Sequence, residues 1–397
     1  MENPSLLGEG EGYVSDVDEA IENISVPKKV EKKHLRSPIC LMIGHELSGK
    51  TALLDCIRGT KSDNNDFQHY RATYVPAKNI RERTRKLKSY EKIKVPGLLF
   101  IDTPGFISIP SLKYRGLALC DIAILVVDIN IGLRPQTIET LNLLNMCKTK
   151  FIVVLNQVDR IYGWKTCRNA SFPNAYMKQS RDAEIGFCSM LNRTIWQFRQ
   201  HGIVTKICYQ NKEMRETVSI VPTSAISGEG ISDMLLQLVM WTQKTMVEKL
   251  TYREELQCII LDVNDFEDCG TTLNVVLVNG VLHEGDQIAV CGRQGTTIVT
   301  SIQALLKTPP LMELGAKGDY IHCKKVKGAK AIKIIAQGLQ DAVVGSNVYM
   351  AKPDEDFKEG ELVKGETMRI IGLQNYIIFL GLIAVVMLLL PWLYLMC

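Results

Sequence analysis

The chain runs to 397 residues, 46% of them hydrophobic and 23% charged, a balance that excludes general disorder and leaves room for two or three domains. A net charge of +4 is too small for a global basic field, so the bulk charge gives no sign of a nucleic-acid partner. Twelve cysteines are scattered without a C-x-x-C pair, which removes support for metal fingers and redox motifs and reads as reduced thiols in a cytoplasmic compartment.

Met1-Glu2-Asn3-Pro4 has no apolar run behind it, so no signal peptide is expected. Residues 1–36 carry acidic groups first (Glu2, Glu9, Glu11, Asp16, Asp18) and basic ones after them (Lys28, Lys29, Lys32, Lys33, Arg36). Too few apolar side chains lie among them to offset the entropy of ordering, and a disordered charged arm is expected.

Over residues 37–249 apolar strands alternate with helical patterns, the signature of a doubly wound α/β domain. The strand Ile39-Cys40-Leu41-Met42-Ile43 leads through Gly44-His45-Glu46-Leu47-Ser48-Gly49-Lys50-Thr51 into a helix that takes in Ala52. G-x-x-x-x-G-K-T between strand and helix suits a phosphate chain. Backbone N–H groups along this loop wrap the anion, Lys50 neutralises the β- and γ-phosphates, and the Thr51 hydroxyl ligates Mg²⁺. Gly97-Leu98-Leu99-Phe100-Ile101 is fully apolar, as a central parallel strand should be, and ends in Asp102-Thr103-Pro104-Gly105. Asp102 is placed to reach Mg²⁺ through a water, and the Gly105 amide to face a γ-phosphate.

Strands follow at 121–128 and 151–155, the second ending in Asn156-Gln157-Val158-Asp159. With Asn156 beside it, a carboxylate at Asp159 suits guanine, because it accepts from both N1–H and N2–H, a donor pair that adenine lacks. A helix over 182–200 carries Phe187, Met190, Leu191, Ile195 and Phe198 on one face as core. The strand 219–222 then delivers the loop Ser224-Ala225-Ile226, where the Ala225 N–H can reach the guanine oxygen, and Met234 to Lys249 reads as the closing helix. These loops all fall at carboxyl ends of strands, where open α/β sheets hold their ligands.

Past residue 250 the period shortens to that of strands, with turns at Asn279-Gly280 and Glu284-Gly285-Asp286, and a small antiparallel β-barrel over 251–352 fits the spacing. Residues 353–372 read as a linker and 373–397 as an apolar helical tail. The charge-free run 376–395 is about the ~20 residues that a bilayer span requires. Lys352, Lys358, Lys364 and Arg369 precede it, which keeps the folded domains on the cytoplasmic side of any membrane it enters. A membrane anchor and a miscalled exon are the two readings of this tail.

Several of these segments carry a family resemblance. Asp121-Ile122-Ala123-Ile124-Leu125-Val126-Val127-Asp128-Ile129, Pro135-Gln136-Thr137-Ile138-Glu139, Val221-Pro222-Thr223-Ser224-Ala225-Ile226-Ser227-Gly228-Glu229-Gly230 and Leu277-Val278-Asn279-Gly280-Val281-Leu282 resemble the eukaryotic translation initiation factor 5B family of translational GTPases, several details being similar to its plant members. The resemblance covers residues 36–352. It implies a P-loop GTPase domain and a following barrel, GTP hydrolysed to GDP with Mg²⁺, and the ribosome as partner during subunit joining. It also places Lys50, Gly105 and the residue after Gly105 among the catalytic positions.

The departures from the family pattern bear on that chemistry. Leu47 stands where the family has an Asp that ligates a monovalent cation. The switch I stretch Asp66-Phe67-Gln68-His69-Tyr70-Arg71-Ala72-Thr73 is shortened, with Phe67 at the position of the Mg²⁺-ligating Thr. Gln157 stands where a Lys lies over the base, and Phe106 where a His positions the attacking water. Hydrolysis is therefore expected to be weakened more than binding. The family's third domain, long helix and second barrel have no counterpart here, which puts the initiator tRNA contact in doubt. The alternative is a catalytically silent GTP-binding or interaction protein from a divergent duplicate.

Overall fold

A computed structural model describes residues 34–60, 71–87, 92–103, 119–211, 216–266, 270–293, 296–314 and 320–351. The first part is built from β1 (Ile39–Gly44), α1 (Lys50–Arg58), β2 (Arg71–Pro76), α2 (Ala77–Thr84), β3 (Gly97–Asp102), β4 (Ile122–Asp128), α3 (Pro135–Met146), β5 (Phe151–Asn156), α4 (Arg181–Gln200), β6 (Thr205–Ile207), β7 (Val218–Pro222) and α5 (Ile231–Thr245). β3, β1, β4, β5, β7 and β6 lie side by side and parallel in that order, and β2 runs antiparallel along the outer side of β3.

The central strands read as unbroken apolar runs because both of their faces are covered. Leu41, Ile101, Leu125 and Val153 point into one core, which Phe187 and Phe198 of α4 close. Their neighbours Met42, Phe100, Ile124 and Val154 point into the other, closed by Leu53 of α1 and by Met234 and Leu238 of α5. Helix capping follows the sequence locally: the Ser180 side chain accepts from the Ala183 N–H and starts α4.

Three expectations shift. Arg36, assigned to the charged arm, is buried, and its guanidinium donates to both oxygens of Asp121 at 2.6 and 2.8 Å. Asp121 also accepts from the Ile39 N–H at 2.9 Å, so it ties the start of β1 to β4 rather than joining the strand. A buried carboxylate needs such a partner, and that requirement draws Arg36 into the fold. Arg71-Ala72-Thr73, read with switch I, belongs to β2. The single closing helix is two, broken at Met246 between α5 and a short turn Val247–Leu250. The Thr242 and Thr245 hydroxyls donate back to the Leu238 and Trp241 carbonyls at 2.7 and 2.8 Å, a competition with the backbone that bends helices.

The second part holds β8 (Gln257–Phe266), β9 (Gly270–Asn279), β10 (Val281–His283), β11 (Gln287–Cys291), β12 (Thr297–Ser301), β13 (Ala304–Lys307), β14 (Glu313–Leu314), β15 (Ile321–His322), β16 (Lys325–Lys327), β17 (Lys330–Ile335) and β18 (Asn347–Met350). Eight of them form one antiparallel sheet, β12-β11-β18-β8-β9-β17-β13-β15, and β10 pairs with β16. Ile288 and Val290 of β11 share a core with Leu305 of β13 and Ile332 and Ile334 of β17, so the sheet curls around one apolar interior.

β14 does something else. It leaves that sheet and pairs with β2, Glu313 opposite Thr73 and Leu314 opposite Ala72, which joins the β-rich part to the edge of the α/β sheet. Glu313 then accepts from Arg58 of α1 at 2.6 Å and pairs with Arg71 of β2 at 3.1 Å. The apolar tail 376–395 lies outside the described residues, as do Phe67, Gly105 and Phe106. Among the described residues no helix is long and apolar enough to cross a membrane.

Candidate nucleotide site

β1, β3, β5 and β7 are parallel, so the loops after Gly44, Asp102, Asn156 and Pro222 emerge from one edge of the sheet. Behind Gly44, residues Glu46–Ser48 form one 3₁₀ turn. His45 caps it, Nδ1 accepting from the Leu47 N–H at 3.1 Å. That bond needs an unprotonated Nδ1. Burial first, and then the positive charges of Arg134 and Lys50, lower the pKa of His45 and favour this form against the opposing pull of Glu46.

Gly49 closes the loop in the left-handed region, φ 85°. A Cβ there would stand 2.5 Å from Asn156 Nδ2, so the position excludes side chains twice over. Lys50 opens α1 and is buried, with Nζ donating to the carbonyls of Gly44 at 3.0 Å and His45 at 2.9 Å. The ammonium is thereby held inside the curl of the loop. Glu46, Leu47 and Ala52 face solvent, while Ser48 is buried with its hydroxyl on the His45 carbonyl at 2.7 Å.

Thr51 and Asp102 meet across the sheet, the hydroxyl donating to Oδ2 at 2.9 Å. Burial pushes the Asp102 carboxyl up to about 6, against the opposing pull of Lys50, of the Thr51 bond and of Arg71. Arg71 is the direct register partner of Asp102 in the β2–β3 pair.

Asn156 is the hinge of the base side. It is 1% exposed, its Nδ2 donates to the Ser48 carbonyl at 2.9 Å, and its Oδ1 accepts from Thr223 Oγ1 and the Ala225 N–H, each at 3.2 Å. One side chain therefore joins three loops. Gln157, left-handed at φ 69°, adds a second link, Nε2 to the Leu47 carbonyl at 2.8 Å. Asp159 begins to expose its carboxylate within the turn Val158–Arg160 and is only half-buried.

The Ser224 hydroxyl accepts from the N–H groups of Ile226 at 3.3 Å and Ser227 at 3.1 Å, which curls the loop around Ala225 and turns the Ile226 side chain outward. Gly230 ends it at φ 70°, where a Cβ would lie 2.0 Å from the Pro222 carbonyl oxygen.

Four residues with a part in this arrangement were not singled out from the sequence. Thr223 anchors Asn156, and Arg71 faces Asp102. Arg134 acts on His45. Glu229, fully buried, accepts from Trp164 Nε1 at 3.1 Å and from the Cys167 N–H, so it fixes the base loop to the segment after β5. A lone glutamate between two glycines, with a tryptophan as its only buried donor side chain, was the available signal.

Fold and loop order define a class, a P-loop GTPase α/β domain with a β-rich part behind it. The family model for the elongation factor Tu GTP binding domain matches residues 35–244. The eukaryotic translation initiation factor 5B of Saccharomyces cerevisiae is 46% identical over 334 residues, 83% of this chain and 33% of that protein. A probable translation initiation factor IF-2 of Archaeoglobus fulgidus is 38% identical over 84% of this chain and 57% of its own length. The crystal structure of GDP-bound aIF5B from Aeropyrum pernix superimposes with a TM-score of 0.74 at 34% identity, covering 85% of this chain and 57% of that one. The chain belongs to the elongation factor Tu GTP-binding family, and within it to the translational GTPases of the initiation factor 5B type. It spans 33%, 32% and 33% of the length of the yeast, Dictyostelium discoideum and Schizosaccharomyces pombe factors.

Proposed function

We propose that this protein binds GTP with Mg²⁺ and hydrolyses it to GDP as a translation initiation factor acting with ribosomes in subunit joining. The observation that carries the reading is the convergence of four carboxyl-end loops on Asn156, with Lys50 held in the phosphate loop beside the Thr51–Asp102 pair. The relatives' names, and the GDP in the Aeropyrum pernix structure, supply its direction.

In this reading the amides from Gly44 to Ala52 receive the phosphates, and Lys50 swings from the loop carbonyls to the β- and γ-phosphate oxygens. Asp159 accepts from guanine N1–H and N2–H, and Ala225 donates to the guanine oxygen, while Asn156, Gln157, Ser224 and Ile226 shape that pocket. The residues present fit Mg²⁺: Thr51 offers its hydroxyl, and Asp102 Oδ1 is buried without a hydrogen-bond partner among the described residues. Mg²⁺, when bound, neutralises charge on the phosphates. The Gly105 amide is placed at the γ-phosphate by resemblance.

Water attacks phosphorus, and the bond to the β,γ-bridging oxygen breaks. Phe106 stands where the family uses a His to position that water, and a phenyl ring offers it no hydrogen bond, so hydrolysis is slow. Residues 376–395 are read as a membrane anchor for an otherwise cytoplasmic protein, supported by their charge-free run. Contact with initiator tRNA is not part of the reading.

Equilibrium binding and single-turnover hydrolysis, with and without ribosomes, test it. GTP should bind with Mg²⁺ dependence, Lys50→Ala should lose most of the affinity, and Phe106→His should raise the rate with little change in affinity. Unchanged binding by Lys50→Ala overturns the nucleotide site. Fast ribosome-stimulated turnover by the natural chain overturns the weakened rate. For the tail, a soluble reporter carrying 370–397 should resist carbonate extraction from membranes, and a reporter that stays soluble removes the anchor.

A further inference from the structure

On the α/β part, away from the phosphate loop, lies a hollow of about 730 Å³ between the end of α2 and the segment that follows β5. Arg83 and Lys86 reach it from one side, Lys165, Arg168 and Lys178 from the other. Five of its fourteen lining residues are cationic and none is acidic, whereas over the whole chain 47 basic residues are nearly balanced by 43 acidic ones. The bulk charge conceals this concentration.

Lys86, Lys165, Arg168 and Lys178 are exposed, and their side chains make no hydrogen bond or ion pair among the described residues. Arg83 is steadied by a bond to the Cys56 carbonyl at 2.7 Å. Like charges gathered around one concavity repel each other and focus a positive potential into it, a field that an entering anion relieves.

The neutral lining has a character too. Ser171, Asn174 and Ser232 contribute hydrogen-bonding side chains, and Ser232 sits in the first turn of α5, whose end carries partial positive charge. The carboxylate in that turn, Asp233, is engaged with the Phe172 N–H at 2.9 Å and does not line the hollow. Leu87 and Met177 add apolar surface. Arginine and lysine, serine and asparagine, and a helix N-terminus are the groups that contact nucleic-acid phosphates, and apolar flanks suit ribose and base faces.

The wall is rigid. Asn169 N–H donates to the Ser227 carbonyl at 2.9 Å, Gly230 N–H to the Ala170 carbonyl at 3.0 Å, and Glu229 holds Trp164 and Cys167. We infer that this hollow binds the phosphate backbone of RNA, at a site separate from the nucleotide loops.

The full chain should bind a fluorescein-labelled, mixed-sequence single-stranded RNA of about 20 nucleotides, read by anisotropy across a salt series. Lys165→Glu with Arg168→Glu should weaken it at least about tenfold and flatten the salt slope by about 1. Lys324→Glu with Lys325→Glu, an equal charge loss on the β-rich part, should change affinity less than about twofold. The milder pair Lys165→Ala with Arg168→Ala, monitored for an unchanged unfolding midpoint, should give a smaller loss in the same direction. Equal losses from both Glu pairs, or none from the alanine pair, overturn the inference. Displacement of the RNA by polyglutamate at equal charge makes the hollow an acidic-protein site, and binding of inorganic phosphate without RNA makes it a small-anion site. Either result overturns it as well.

Discussion

The Thr51 hydroxyl donates to Asp102 Oδ2 at 2.9 Å, while Oδ1 of the same carboxylate has no hydrogen-bond partner among the described residues. Half of a buried acid is therefore satisfied and half is not. That arrangement costs stability whenever the group is ionised.

The cost has a defined pH window. Folding raises the Asp102 pKa from 3.8 to about 6, so between those values the folded chain holds the proton more tightly than the unfolded one. Stability of the nucleotide-free protein should then fall as pH rises from about 4 to about 6, by up to about 3 kcal/mol from this group at 1.36 kcal/mol per unit. Asp102→Asn should flatten that part of the profile in urea unfolding between pH 4 and pH 7. A variant that keeps the full slope assigns it to other groups.

Glu313 should matter to both parts of the molecule. It serves Arg58 and Arg71 at once, with side-chain exposures of 10%, 3% and 13% respectively. Removing one partner of a buried pair strands the others, which typically costs about 3–5 kcal/mol. Glu313→Gln should lie at the lower end, about 3 kcal/mol, because Arg58 retains Asp55. Chemical denaturation measures this, and a change below about 0.5 kcal/mol, the range of ordinary surface substitutions, contradicts it.

At Gly49 the expected effect is on binding and folding together. Alanine at φ 85° costs about 1–2 kcal/mol in backbone conformation, and its Cβ presses on Asn156 Nδ2. Gly49→Ala should lose that stability and at least about tenfold in GTP affinity, since about 1.4 kcal/mol of displaced loop geometry corresponds to a factor of ten. Calorimetry and nucleotide titration of one preparation read both.

Base choice is tested at Asp159. An amide there donates where the carboxylate only accepts, so Asp159→Asn should disfavour GTP by about 1–3 kcal/mol and favour xanthosine triphosphate. Competition between the two nucleotides decides it. Full retention of guanine preference moves base recognition to another residue.

The phosphate loop and the parallel core were legible in the sequence because each rests on local signals: G-x-x-x-x-G-K-T after Ile39–Ile43, and apolar runs such as Ile122–Val127 that have no polar face to present. The contacts that bind those loops to one another were less so. Asn156 was read as a partner for the base, whereas its side chain spans Ser48, Thr223 and Ala225, a role set by separations of 108, 67 and 69 residues. Arg36 looked like the end of a basic run because its partner Asp121 lies 85 residues away. β14 is two residues long, too short to show a period, and its pairing with β2 depends on the whole β-rich part being in place. Gathering of positive charge around the hollow at Arg83 and Arg168 was cancelled in the net charge by acids elsewhere.

That two-residue strand has a consequence for dissection of the molecule. β2 is the outermost long strand of the α/β sheet, and Glu313–Leu314 occupies its free side at Ala72 and Thr73. A fragment ending near residue 250 loses this cover, baring unpaired backbone N–H and C=O groups next to the apolar ground once filled by Leu314. Open strand margins of that kind template pairing between copies. The β-rich part thus serves its neighbour as a built-in guard against self-association, and a fragment without it should form edge-to-edge oligomers as its concentration rises.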